Sequence, residues 1–208
     1  SDNNMVFNVT GEERVHITSS GDVGIGNSSV AFPSGGGLQV YNASAPRIKL
    51  TNSTTGVASG DGFQIYVSGS SAILDQKENA EMRFYTEATE KLRITSAGDL
   101  QRPKSLSQEV STSVSSVSAT SCGSFAKATY RSAYVIAQIT QGSSYQVGRY
   151  LVIHDGTTAT TIEESAIATG DMLGTFSGVV SGSNVEFRVT MSSASSATVI
   201  TKIESIVV

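Results

Sequence analysis

Residues 17 to 26 read ITSSGDVGIG, and residues 94 to 100 read ITSAGDL. Each phrase is a strand end, a Gly-Asp turn and the start of another strand. Placing Met5 on Met82, an offset of 77, lengthens the match. Phe7 then falls on Phe84, Glu13 on Glu90, Arg14 on Lys91, Ile17 on Ile94 and Thr18 on Thr95. Val15-x-Ile17 matches Leu92-x-Ile94, and Val23 matches Leu100. Alternate apolar positions recur, the period of a half-buried strand. Gly21-Asp22 and Gly98-Asp99 stand where a chain reversal needs a residue free to take positive φ. The repeat, over 5–23 and 82–100, is therefore one of structure and not of chemistry.

Between the copies the same grammar continues in short phrases. Leu38-x-Val40, Ile48-x-Leu50, Phe63-x-Ile65-x-Val67 and Met82-x-Phe84 read as strands, separated by PSGGG, NSTTG and SGDG. No helical apolar stripe of useful length occurs in residues 1 to 102. Each phrase offers only two or three apolar side chains on one face, and isolated hairpins of that size are marginal in water. Association resolves this, with three copies turning their apolar faces toward a shared axis. Residues 1–102 are thus expected to form a trimeric, intertwined or prism-like β shaft.

Composition agrees with a strand-rich, surface-exposed or virion protein. Apolar residues are 38% of the 208, Trp is absent, and Ser and Thr together fill about a quarter of the chain. Charged residues are only 15%, which is not the profile of a disordered chain. Net charge is −4 with no Lys/Arg run, so the electrostatic footprint of a nucleic-acid partner is missing. No stretch approaches the ~18 apolar residues of a membrane-spanning helix, and no signal-peptide pattern is present. Cys122 is the single cysteine, so no disulfide within the chain is expected.

EERVHITSSGDVGIG, followed by Pro33 and GGLQV, resembles the repeat of bacteriophage tail fibres and tailspikes. The family pattern runs E-R-x-x-I-x-x-x-G-x-V-G-I-G, then Pro, then L-x-V. Glu13, Arg14, Ile17, Gly21, Val23, Gly24, Ile25, Gly26, Pro33, Leu38 and Val40 fill those positions. The resemblance covers most of residues 5 to 101. Two departures stand out: the spacer from Gly26 to Leu38 is long, and the second copy lacks the G-I-G continuation. Many relatives end in a helical, self-cleaving chaperone segment, and nothing after residue 102 looks like one. The resemblance implies a homotrimeric fibre on the virion surface, held through its N-terminal side by other virion (tail or baseplate) proteins. Its head would bind a host surface glycan or protein. Attachment to the capsid as a head fibre or decoration is an alternative, and a polysaccharide-cutting tailspike is a weaker one.

After Leu100 the chain reads QRPK, and Pro103 cannot donate to a ladder. A boundary is therefore expected near residue 103. Residues 103–208 read as a C-terminal β-sandwich (jelly-roll-like) head of about eight strands. The expected spans are 108–117, 124–130, 132–140, 145–155, 158–167, 174–180, 184–191 and 197–208. AYVIAQIT, RYLVIHD, VEFRVTM and ATVITKIESIVV carry the β-branched and aromatic residues that strands favour. Turn signals recur about every ten residues, as in sandwiches.

The search for chemistry yields no catalytic residue, metal ligand or cofactor site. His16 and His154 are the only histidines, and Arg93 takes the place of His16 in the second copy. Cys122 has no His nearby in sequence to activate it. Glu163-Glu164 and Glu78/Glu81 are carboxylate pairs, but adjacent strand residues point to opposite faces, so solvated surface charge is expected. GDVGIG opens no helix, so the phosphate-loop context fails. If successive head strands alternate direction, the first, third, fifth and seventh connections gather at one end, at 118–123, 141–146, 168–173 and 192–196. The candidate receptor-binding residues there are Ser121, Gln141, Ser143, Ser144, Tyr145, Asp171, Met172 and Ser195. Hydroxyls, an amide, a carboxylate and one flat ring suit a glycan.

Overall fold

The computed structural model describes residues 3–33 and 35–208, so Ser34 of the PSGGG turn lies outside the described residues. Every regular element among the described residues is a strand, and the fold is all-β with several sheets. Two compact units form, Ser1–Ala80 and Glu81–Val208.

In the smaller unit β1 (Met5–Val9), β2 (Glu12–Ile17) and β3 (Val23–Ile25) run antiparallel in sequence order, and β4 (Leu38–Val40) pairs parallel to β3. A second sheet holds β5 (Arg47–Leu50), β6 (Phe63–Ser68) and β7 (Ser71–Gln76) as an antiparallel meander. Among the described residues of this unit, no apolar side chain is buried. Apart from two glycines, only His16 and Gln64 are shielded. Phe7 stays 53% exposed and Leu50 59%. Leu38, Val40, Ile48, Ile65 and Leu74 line an open apolar groove of about 460 Å³.

The larger unit begins with the second repeat: β8 (Met82–Thr86), β9 (Thr89–Ile94) and β10 (Leu100–Arg102). Eight longer strands follow: β11 (Ser105–Val114), β12 (Thr120–Ala126), β13 (Tyr130–Gln141), β14 (Ser144–His154), β15 (Ala159–Ala168), β16 (Gly174–Ser181), β17 (Asn184–Met191) and β18 (Ala197–Val207). One sheet has the order β15-β14-β13-β18-β11-β10-β9-β8, and a smaller one has β12-β17-β16. Burial alternates strictly along β14 from Gln146 to His154 and along β18 from Ala197 to Ile203. The inward set packs between the two sheets as one core, with Val135, Ile139, Val199 and Ile203 meeting Phe125, Phe187 and Val189. Phe176 stacks on Phe187 at 5.1 Å between ring centroids, and Tyr150 tilts against both at 5.0 and 5.3 Å.

The two repeat copies match atom for atom at their turns. Thr18 N donates to Asp22 O at 2.9 Å, and Thr95 N to Asp99 O at 2.9 Å. Asp22 N donates to Thr18 Oγ1 at 2.9 Å, and Asp99 N to Thr95 Oγ1 at 3.0 Å. Gly21 and Gly98 hold φ of 90° and 94°, the left-handed region that makes glycine the residue of choice there. Each first hairpin slips register at the same place, after Phe7 and after Phe84. The acid–base pair recurs too: His16 Nδ1 lies 2.6 Å from Glu13 Oε1, and Arg93 Nε lies 2.5 Å from Glu90 Oε1.

The copies part at their third strand. β3 takes a parallel partner, β4, after the Gly26 turn and a long loop, whereas β10 turns at Pro103-Lys104 and pairs antiparallel with β11. The boundary expected near residue 103 therefore falls inside a continuous ladder, and the units divide between Ala80 and Glu81 instead. Pro103 ends β10 because it lacks a donor, and the chain re-enters the same sheet two residues later.

Candidate binding surface

Connections between the long strands of the larger unit alternate ends. Val207 N donates to Lys104 O at 3.1 Å, Lys127 N to Ser183 O at 3.0 Å, and Lys127 Nζ to Gly156 O at 3.2 Å. These bonds gather residues 103–104, 127–129, 155–158 and 182–183 at one end. At the opposite end Gln141 Nε2 donates to Ser195 O at 2.7 Å, Thr169 N to Tyr145 O at 2.9 Å, and Ser192 Oγ to Met172 O at 3.1 Å. The β13–β14, β15–β16 and β17–β18 connections are thus hydrogen-bonded into one surface.

Seven of the eight candidate residues lie on that surface. Ser143, Tyr145, Asp171, Met172 and Ser195 are exposed, and Gln141 and Ser144 are half-buried. Tyr145, 47% exposed, flanks a groove of about 230 Å³ with Gln138, Val147, Ile167 and Thr169. Ser121 is placed differently. β12 starts at Thr120, earlier than the expected 124, so Ser121 is a strand residue opposite Arg188 beside a bulge. Its hydroxyl reaches Gly123 O at 3.5 Å and bonds to none of the three joined loops.

Gln146 organises this end and is absent from the candidates. Its side chain is 1% exposed. Oε1 accepts from Leu173 N at 2.6 Å and Gly174 N at 3.0 Å, while Nε2 donates to Gly174 O at 2.8 Å. A buried amide with its partners met is a rigid clamp, and it fixes the 169–173 loop against β14. The sequence signal is a Gln in the inward register of a strand whose other inward residues include Tyr150 and Val152.

Cys122 is fully buried with Sγ 3.3 Å from Phe187 O, and desolvation pushes its thiol up to about 12. His154 is buried, with Nε2 2.7 Å from Tyr130 O. Glu163 and Glu164 sit at a register shift: Glu163 faces Tyr150 and Ser165 faces Arg149, so Glu164 is the extra residue. Simple alternation does not govern that pair, because a bulge re-aims side chains. Both are exposed, and Glu164 Oε2 is 4.0 Å from Arg149 Nε. Glu78 Oε1 accepts from Gly62 N at 2.9 Å, while Glu81 pairs with Arg83 and, at 3.3 Å, with Arg93. Those guanidinium groups hold the Glu81 carboxyl below its usual range, Arg83 contributing most. Among the described residues no group of three or more His, Cys, Asp or Glu side chains is arranged to hold a metal.

The surface therefore offers hydroxyls, one amide, one carboxylate and one exposed ring on a hydrogen-bonded platform. No protein-family model matches the chain, and no curated protein matches it either.

Proposed function

We propose that this chain is a virion fibre protein of the bacteriophage tail-fibre kind, acting as a homotrimer. Its first part serves as an intertwined shaft. The larger sandwich, jelly-roll-like in role, is the head that attaches the particle to a host surface glycan or protein. Other virion proteins hold the N-terminal side, and no catalytic step is assigned. One observation carries this reading: residues 3–80 build two sheets without burying one described apolar side chain, while Met5, Phe7, Leu50 and Leu74 face outward. Burying a side chain of that kind contributes about 1.5–3 kcal/mol, and a small two-sheet unit without any has little to offset chain entropy. Partner chains are the remaining source. The loop surface around Tyr145 supports the attachment role because its polar groups sit on a rigid scaffold.

Sedimentation of the purified chain tests the assembly. The expected mass is about 65 kDa, three times 21.6 kDa. A folded monomer at micromolar concentration ends the fibre reading. Attachment is tested separately, by host-cell adsorption of trimeric Tyr145→Ala and Asp171→Ala fibres, with loss expected in at least one. Unchanged adsorption in both, alongside loss on changing 156–158 or 181–184, would place the receptor at the opposite end.

A further inference from the structure

We infer that the uncovered face of the eight-stranded sheet is where the heads of the other two copies of this chain dock. The inference rests on the trimeric reading and names the face it uses. One side of the sheet is covered by β12-β17-β16. The other is open. A single row of cross-strand partners traverses it, from Met82 on β8 through Leu100, Glu204 and Tyr134 to Leu151 and Ile162 on β15. Directly paired residues share a face. The apolar face of the second repeat, where Phe84 is exposed, and the open face of the head are thus one continuous surface.

That face is unusually apolar for a sheet in water. The adjoining row toward the Pro103 turn carries Ile206 and Ile153. Farther toward the loops another row carries Ile200, Val147 and Ile167. Ile153 is 54% exposed, Ile162 60% and Ile167 70%. With Ile136 and Leu151, the aliphatic side chains leave on the order of 700 Å² accessible. The largest patch on a typical monomer is about 300–600 Å², and a standard interface buries about 800 Å² per partner. Tyr134, Leu151, Ile153, Ile162 and Ile206 also shape a groove of about 380 Å³ that an aliphatic side chain from a neighbour would fill.

The charges on this face select a copy of the same chain. Arg149 lies 4.0 Å from Glu164, and Lys202 lies 3.9 Å from Glu204, with both cations more than half exposed. With both signs on one face, the cations of one copy can meet the carboxylates of the next around a three-fold axis, whereas a charged foreign partner is expected to meet one sign. The loop end of the face is more polar, where Ser113, Thr198 and Thr140 form the last row together with Tyr145. Val147 and Ile167 also line the groove beside Tyr145, so docked copies share that wall, while the loops carrying Gln141, Asp171 and Ser195 lie beyond the apolar rows.

Engineered thiols in the full chain test this. Leu151→Cys and Ile162→Cys probe the face, Ser143→Cys is the loop control, and each is labelled with a maleimide beside a sedimentation run. In a trimer, the two face thiols are expected to react at least tenfold more slowly than the loop thiol. Equal rates in a confirmed trimer overturn the inference and leave the fibre reading intact. A monomer with fast labelling everywhere overturns both. Protection that arises only when a second virion protein is added assigns the face to that protein and also overturns the inference. A misfolded variant betrays itself by labelling buried Cys122 as well, and Lys202→Cys then supplies the same comparison.

Discussion

Gln64 and Val135 are both sealed from water, but by different surroundings. Gln64 is shielded within a three-stranded sheet, and its Oε1 accepts from Arg47 Nη1 at 2.9 Å. Arg47 itself lies over the Tyr66 ring at 4.9 Å. Val135 sits among Ile139, Tyr150, Phe187 and Val199 in a core closed by two sheets. The smaller unit is thus held in shape by ladders, turns and polar contacts, and the larger one by an apolar interior of its own. A region can therefore keep a defined strand geometry without an apolar interior of its own.

The sharpest way to break that contrast is to truncate one aromatic in each unit. Phe187→Ala should remove about 3–5 kcal/mol, equally at every protein concentration, in urea titrations of the full chain. Phe7→Ala removes a ring that is half exposed within the chain. In the trimeric reading its effect should shrink on dilution as the assembly dissociates. A concentration-independent loss for Phe7→Ala comparable to that of Phe187→Ala would contradict the contrast.

Next in size is Gln146→Ala, which orphans the backbone groups of Leu173 and Gly174. A loss of about 2–3 kcal/mol is expected, with faster amide exchange at 173 and 174 than elsewhere in the head. Uniform loss of protection across β13 and β14 would mean that Gln146 supports the core and not the loop.

A smaller effect separates the two repeat copies. Both first hairpins turn through two left-handed residues, Thr10-Gly11 in one and Glu87-Ala88 in the other, with Ala88 at φ 56°. A two-residue turn of this kind prefers glycine at its second position, and a non-glycine residue there costs about 1 kcal/mol. Ala88→Gly should raise stability by about 1 kcal/mol, and Gly11→Ala should lower it by a similar amount. The same sign for both in thermal melts would break the structural equivalence of the copies.

The smallest concerns pH. Asp155 Oδ1 accepts from Thr157 N at 2.8 Å and Thr158 N at 2.7 Å. These bonds hold its carboxyl at about 2, below the ~3.9 of an unfolded aspartate. A depressed folded-state value stabilises fully above the unfolded one and is lost as pH falls toward 2. Asp155→Ala should therefore be slightly less stable than the parent at pH 6, with the two melting curves converging as the pH nears 2.

The long strands of the larger unit are legible because β14 and β18 alternate cleanly, as β13 does from Ala133 to Ile139, so parity sets inward and outward residues there. Parity also gathers the loops carrying Gln141, Tyr145, Met172 and Ser195. It fails wherever the pleat is interrupted. The shift between Ser121 and Ser124 moved Ser121 onto a strand, and the one at Glu163–Ser165 freed Glu164 from its expected face. Pro103 ends a strand and a domain with the same signature, so its hairpin with β11 was invisible without the pairing. The apolar residues of β7 are consecutive, Ala72-Ile73-Leu74, so it carries no alternation to mark it as a half-buried strand. Gln146 looks like any surface amide until its neighbours are known to point inward.

The placement of β18 has a mechanical meaning. It lies between β13 and β11, and β11–β18 pairing is unbroken from Ser105–Ile206 to Val114–Ala197. In an adhesive fibre, tension between a bound surface and the particle would pass from the Tyr145 end to the Pro103 turn, along the strands. The ladder is then loaded in shear, so many hydrogen bonds must yield together and none can be peeled singly. The β10–β11 hairpin would carry that load onward without leaving the ladder, because the second repeat and the strands after Pro103 share one sheet.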